Sequence, residues 1–124
     1  MKMTKITIVC EETNTREEFS QEETTIGKSN DNDFPTPPQH TSVSRHHCSI
    51  IQNEKGVSVR DNGSKNGTTV RGKTLSKDEH AMLSNGEEIQ LGKNYILKIL
   101  ISEEEELKLT PEEDEFSDTA LGIK

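Results

Sequence analysis

Apolar and polar residues alternate along this chain with a period of two, in short bursts. In "KITIVC" (residues 5–10), Ile6, Ile8 and Cys10 fall on one face and Thr7 and Val9 on the other. "CSIIQ", "VSVRD", "EIQLG" and "YILKILI" are further bursts of strand type, rich in β-branched residues. Between them stand turn signals at Gly27, Asn53 to Gly56, Asn62-Gly63, Asn66-Gly67, Gly72, Asn85-Gly86 and Gly92 to Asn94. Strands repeating about every ten residues, punctuated in this way, predict an all-β, antiparallel sandwich or barrel with no long helix. "FPTPPQH" (residues 34–40) holds three prolines. Because proline lacks the amide hydrogen a central strand must donate, this stretch is expected to be a surface loop.

Charge divides the chain. Of 124 residues, 27% are hydrophobic and 31% charged, with a net charge of -8. The segment 102–124 alone carries nine acids against Lys108 and Lys124, leaving fourteen acids and thirteen bases in residues 1–101. A run of like charges with few aromatics repels itself and resists burial, so the pattern predicts one domain over residues 3–101 and a flexible, disordered acidic tail over 102–124. The other reading of that run is a solvated helix.

No apolar run approaches the roughly 18 residues that span a bilayer, and "MKMTKITIVC" is too short in apolar length for a secretory signal. The expectation is a cytoplasmic protein with no membrane partner. Cys10 and Cys48 lie in strand-like segments without CxxC spacing and read as buried free thiols.

Candidate chemistry concentrates in "SRHHCSIIQNEKGVSVRDNGSKNGT" (residues 44–68). As a metal site, "HHC" fails on geometry: a strand starting at Cys48 sends His46 and Cys48 to one face and His47 to the other. Ser44, His47 and Asp61 supply the atom types of a catalytic triad, but nothing marks a strained nucleophile turn or an oxyanion hole, and GxSxG is absent. "IGKSN" lacks the upstream glycine of a phosphate-binding GxxxxGK[ST] loop. With 3% aromatics and a near-neutral domain, nucleic acid is not expected as a partner. What remains is a set of cations and hydroxyls on turns between strands: Lys28 after Gly27, Ser44 with Arg45, and Lys65 with Asn66. Loops at one end of a sandwich can converge, so these residues are candidates for a compact anion pocket as well as for ordinary solvated loops. A protein-borne phosphate, with up to two charges and three acceptor oxygens, matches a hydroxyl among several cations.

"TTIGKSNDNDF", "TSVSRHHCSI", "VRDNGSKNGTTVRGK" and "LSNGEEIQLG", in this order and ending in "YILKIL", resemble a forkhead-associated (FHA) domain over about residues 4–101. The resemblance implies a sandwich of about eleven strands that binds phosphothreonine in partner proteins through loops at one end. It further implies a non-catalytic signalling module without a cofactor or metal, whose partner is a Ser/Thr kinase or its substrate. By the same resemblance Lys28, Ser44 and Arg45 would hold phosphate oxygens, Lys65 would flank the phosphate, and Asn66 would bond the peptide main chain. Gly27 and Gly67 would serve turns, and His47 would brace the loops. Two features differ from the family pattern: Lys28 stands where arginine is usual, and the loop "DFPTPPQHTSVS" is longer and richer in proline. The first motivates an alternative, a phosphate-independent interaction or oligomerisation module. "KLTPEEDEF" adds Thr110, placed before proline and acids, as a candidate regulatory phosphosite and the tail as a candidate ligand of its own domain.

Overall fold

The computed structural model of the chain describes residues 2–105. In chain order its strands are Lys2–Cys10 (β1), Thr15–Phe19 (β2), Glu23–Gly27 (β3), Phe34–Pro35 (β4), Cys48–Asn53 (β5), Gly56–Asp61 (β6), Thr68–Val70 (β7), Lys73–Leu75 (β8), His80–Leu83 (β9), Glu87–Leu91 (β10) and Tyr95–Glu105 (β11). They form two sheets, ordered β2-β1-β11-β10-β7-β8 and β4-β3-β5-β6-β9. The architecture is an eleven-stranded β-sandwich, antiparallel except where β3 meets β4.

The period-two pattern produces the core directly. Ile6, Ile8 and Cys10 of β1 are fully buried, with Ile89, Leu91, Leu97 and Ile99 beside them on the same sheet. Ile26, Cys48, Ile50, Val57 and Val59 face them from the other sheet. Each such side chain contributes about 1.5–3 kcal/mol by leaving water. Both cysteines are free and buried. No helix among the described residues is long and apolar enough to cross a membrane.

Two details depart from the sequence expectations. Pro35 belongs to a two-residue strand, β4, which pairs in parallel with Ile26 and Gly27 of β3 at the edge of the sheet. Proline is tolerated there because an edge leaves one row of backbone groups unpaired. Phe34 turns into the core, and Thr36 follows it into burial, its N–H bonded to Gly27 O. The loop assigned to residues 34–40 is therefore anchored at its start. The last strand also runs past residue 101: Ser102, Glu103, Glu104 and Glu105 pair with Lys5, Thr4, Met3 and Lys2 of β1. Backbone pairing extends the strand into the acidic run, since a ladder needs no apolar side chains. Thr110 and the rest of the acidic segment beyond Glu105 lie outside the described residues.

Candidate functional site

The register defines the two ends of the sandwich. Gly27 at the end of β3, Cys48 at the start of β5, Asp61 at the end of β6 and Thr68 at the start of β7 share one end. The loops β3–β4, β4–β5, β6–β7 and β10–β11 therefore meet there and form a crest. Lys28, Ser44, Arg45, Lys65 and Asn66, scattered over thirty-nine positions of sequence, all stand on it.

The crest is stitched by backbone. Lys28 N–H donates to Ser44 O at 3.1 Å, and Ser29 N–H donates to Arg45 O at 3.1 Å. Asn32 adds its side-chain amide, donating to Arg45 O at 2.7 Å and to Ser29 O at 2.8 Å. Gly27 is needed for this close approach. A Cβ there would lie 2.1 Å from Arg45 O, well inside contact distance, so any side chain would push the Lys28 and Arg45 loops apart. The sequence expectation of a turn glycine is thus refined: its role is contact, since Gly27 is not among the positive-φ residues. Gly67 combines both reasons, with φ +86° and a virtual Cβ 2.5 Å from Thr74 Cγ2.

His47 sits beneath the crest with no exposure at all. Its Nδ1 accepts from Ser44 N–H at 2.9 Å, and its Nε2 lies 2.8 Å from Gly67 O. A carbonyl only accepts, so Nε2 carries the proton and the ring is neutral. Burial lowers its pKa below the usual histidine value, against smaller opposing effects of the Gly67 carbonyl and the Asp61 charge. One ring thus joins the β4–β5 loop to the β6–β7 loop. Ser44 Oγ is not bonded to this ring; it accepts Lys65 N–H at 2.9 Å. Its own proton remains for an incoming acceptor. Among the described residues Ser44 Oγ, the His47 ring and Asp61 are thus not joined as a trio, and burial pushes the Cys48 thiol pKa far up, which keeps it a thiol.

The backbones of Lys28 and Lys65 both meet Ser44, and Arg45 follows it in sequence. Among the described residues, Lys28, Arg45 and Lys65 form no ion pair with a carboxylate, whereas Arg60, Arg71 and Lys73 each do. Asn66 Nδ2 donates to Ser42 O at 2.9 Å, and Ser42 Oγ accepts Lys93 N–H at 2.9 Å, which ties the β10–β11 loop to the crest. His46 points outward to Asp31, at 3.0 Å. No group of three or more His, Cys, Asp or Glu suited to a metal ion exists among the described residues.

Sequence reasoning missed the support under the β6–β7 loop. Asp61, 2% exposed, accepts Gly63 N–H and Ser64 N–H on Oδ2, and Ser64 Oγ–H and Thr68 Oγ1–H on Oδ1. Ser64 Oγ in turn accepts Gly67 N–H at 2.9 Å. The signal was present as an aspartate followed two and three residues later by backbone donors, the pattern of an Asx turn.

A concavity of about 490 Å³ lies at the opposite end and is lined by Thr4, Ser20, Gln52 and Lys55 among others. The crest is a rim of convergent donors, which suits a ligand gripped by charge and hydrogen bonds without enclosure.

Comparison with known proteins agrees with this geometry. The chain is 37% identical over 67 residues to the ABC transporter ATP-binding/permease protein Rv1747 of Mycobacterium tuberculosis, a match covering 54% of this chain and 7% of that protein. The structure of Mycobacterium tuberculosis EmbR in complex with a low-affinity phosphopeptide superimposes with TM-score 0.69 at 22% identity, over 79% of this chain and 24% of that one. The N-terminal FHA domain of S. cerevisiae Rad53p, in complex with a phosphothreonine peptide, superimposes with TM-score 0.65 at 23% identity, over 77% and 90%. The FHA domain family model matches residues 24–92, which include every strand and loop that builds the crest except β11 and its turn, and with more than half its length matched the chain belongs to the FHA domain family.

Proposed function

We propose that this chain is a non-catalytic module that captures phosphothreonine-containing protein segments on its crest. One observation carries the reading: Ser44 Oγ, fixed by Lys65 N–H with its own proton free, shares the crest with Lys28, Arg45 and Lys65, which no carboxylate pairs among the described residues. A phosphate arriving there takes the Ser44 proton in a hydrogen bond and the Lys28 and Arg45 charges as ion pairs, while Lys65 flanks it. Charge-assisted bonds of this kind are roughly twice as strong as neutral ones. Lys28 offers a point charge where a guanidinium would offer a two-pronged grip, so the phosphate is held with less directional selectivity. Discrimination of phosphothreonine from phosphoserine rests on one methyl group, about 0.8 kcal/mol. The partner is a kinase or kinase substrate, and the same reading places the module in the cytoplasm, which cell fractionation tests.

Calorimetric titration with a degenerate phosphothreonine peptide library is expected to give micromolar dissociation constants, as suits a small polar contact. Lys28→Ala and Ser44→Ala should each weaken binding at least tenfold while the circular dichroism stays unchanged. Equal binding of unphosphorylated peptides would replace this reading by the phosphate-independent one.

A further inference from the structure

Asn32 is the side chain on which the β3–β4 and β4–β5 loops close. It follows Lys28 in the first of these loops, is 7% exposed, and turns inward between two exposed neighbours, Asp31 and Asp33. Both hydrogens of its amide are used, since Nδ2 donates to Arg45 O at 2.7 Å and to Ser29 O at 2.8 Å. Its Oδ1 has no partner among the described residues. A reversed amide would set Oδ1 against two carbonyl oxygens, which only accept, so the orientation follows from the acceptors around it. This side chain acts through its donors.

The carbonyl those donors reach is a hub. Arg45 O accepts Ser29 N–H as well as Asn32 Nδ2, and the Gly27 backbone comes so near that a Cβ there would lie 2.1 Å away. One residue earlier, Ser44 O accepts Lys28 N–H. Two successive carbonyls of the β4–β5 loop thus face the β3–β4 loop. No peptide bond among the described residues is cis, and in a planar trans peptide the C=O and the N–H of the next residue point in opposite directions. Arg45 N–H and His46 N–H are therefore turned away from the β3–β4 loop, and neither has a hydrogen-bond partner among the described residues. Both residues lie in a turn. Consecutive free N–H groups in a turn form a concavity suited to an anion.

We propose that Asn32 is a positioning residue of the phosphothreonine site: by pinning the Arg45 carbonyl inward it holds the His46 N–H outward as a further donor to the phosphate, and by tying the two loops together it sets the distance between Lys28 and Ser44. The proposal rests on the phosphothreonine reading of the crest. Asn32 itself touches no ligand; it acts through the Arg45 and Ser29 carbonyls. The lysine at position 28 makes this tie matter more. A guanidinium can align itself on two oxygens with its planar fork, whereas an ammonium on a flexible stem takes its direction from the backbone that carries it. When the tie is lost, the β3–β4 loop is free to draw Lys28 away from Ser44, and the peptide between Arg45 and His46 is free to rotate its N–H out of reach.

The experiment titrates the full, isotope-labelled chain at neutral pH with a phosphothreonine peptide chosen from the library and with its unphosphorylated form, by calorimetry and by amide NMR. In the wild type the His46 amide proton should move downfield with the phosphorylated peptide and stay in place with the other. Asn32→Ala, with its circular dichroism unchanged, should bind about fivefold or more weakly, and its His46 amide should move less on binding. The loss caused by Lys28→Ala should shrink to about threefold or less in the Asn32→Ala background, because both changes spoil the same contact. A side chain that only supports the fold would leave the two losses independent. Thr25→Val serves as the control. Thr25 Oγ1 accepts Asp33 N–H at 2.9 Å, so this change loosens the same loop without touching the Arg45 or Ser29 carbonyl, and affinity should stay within about twofold. Should Asn32→Ala fail to fold, Asn32→Ser carries the same comparisons, and the wild-type His46 shift is read in either case. Wild-type affinity in a folded Asn32 variant overturns the proposal, as do independent losses with Lys28→Ala, an equal loss in Thr25→Val, or a His46 amide indifferent to the phosphate. In each of these cases the phosphothreonine reading survives; it falls, and the proposal with it, if no phosphothreonine peptide binds the wild-type chain.

Discussion

A single neutral histidine holds the geometry on which an anion site at this crest depends. His47 uses one nitrogen as acceptor for Ser44 N–H and the other as donor to Gly67 O, and a second proton on the ring would turn Nδ1 from acceptor to donor and face it against that N–H. Burial already disfavours the charged ring, so its pKa in the folded chain is below the value of 6.5 it has when exposed. The unfolded chain thus binds the proton more readily. The stability His47 contributes is complete above about pH 6.5 and is lost as pH falls through the folded ring's lower pKa, at a slope of up to about 1.4 kcal/mol per pH unit. Urea denaturation from pH 7.5 to 5 should show this loss, and His47→Gln should flatten it; a wild-type slope unchanged in that variant would assign the effect to other groups. Histidine spacing in the sequence suggested a metal or a catalyst, and only the family resemblance suggested a brace. The burial that decides the matter is a property of how the loops fold over residue 47.

At the scale of elements, legibility followed apolar content. β1, β5, β6, β10 and β11 each send apolar residues at alternate positions into the core, as Ile6, Ile8 and Cys10 or Ile89 and Leu91 do, and the sequence displays that spacing. β2, β4, β8 and β9 lie at sheet edges, and an edge strand buries too little to leave a two-residue signature: β2 is exposed or half-buried throughout. β3 is hidden for another reason, since the position two before buried Ile26 is Thr24, a polar residue that is also fully buried. The β6–β7 loop was half legible. Asn62-Gly63 and Asn66-Gly67 announced the turns, whereas Asp61 stood out in sequence only as the acid of a possible catalytic trio, and its four donors converge on it only in the fold. Replacing it strands those donors in a nearly closed space. Asp61→Ala should cost about 3 kcal/mol of stability, given ~1–3 kcal/mol for each buried group left unpaired and partial relief by water. Because Lys65 and Asn66 ride on that loop, phosphopeptide affinity should drop at least fivefold even at temperatures where the variant is fully folded. Affinity that survives intact in a measurably destabilised variant would separate the loop's foundation from the binding surface.

For the whole molecule, the question is whether its acidity acts on its site. The near-neutral domain and the acidic segment were legible in composition, but the boundary between them was not, because the ladder with β1 carries β11 to Glu105. A cut at 101 would therefore unpair four residues of β1, and the proper comparison is residues 1–105 against the full chain. The strand delivers the segment to the end of the sandwich away from the crest, and the contour from Glu105 to Glu115, ten residues, is about 35 Å at full stretch. That barely matches the length of β11, so only Asp118, the one acidic residue beyond Glu115, has the contour to approach Lys28 and Arg45 in its own copy, and at a cost in chain entropy. With a Debye length of about 8 Å at 0.15 M ionic strength, charges held that far off are screened. Affinity for one phosphothreonine peptide should then agree within about twofold between residues 1–105 and the unphosphorylated full chain at 0.15 M, and the shorter chain should bind more tightly only near 0.01 M, where the Debye length reaches ~30 Å. A severalfold gain on truncation at 0.15 M would mean that the acids lie over the crest of their own copy, and that the separation of the two ends does not keep them from it.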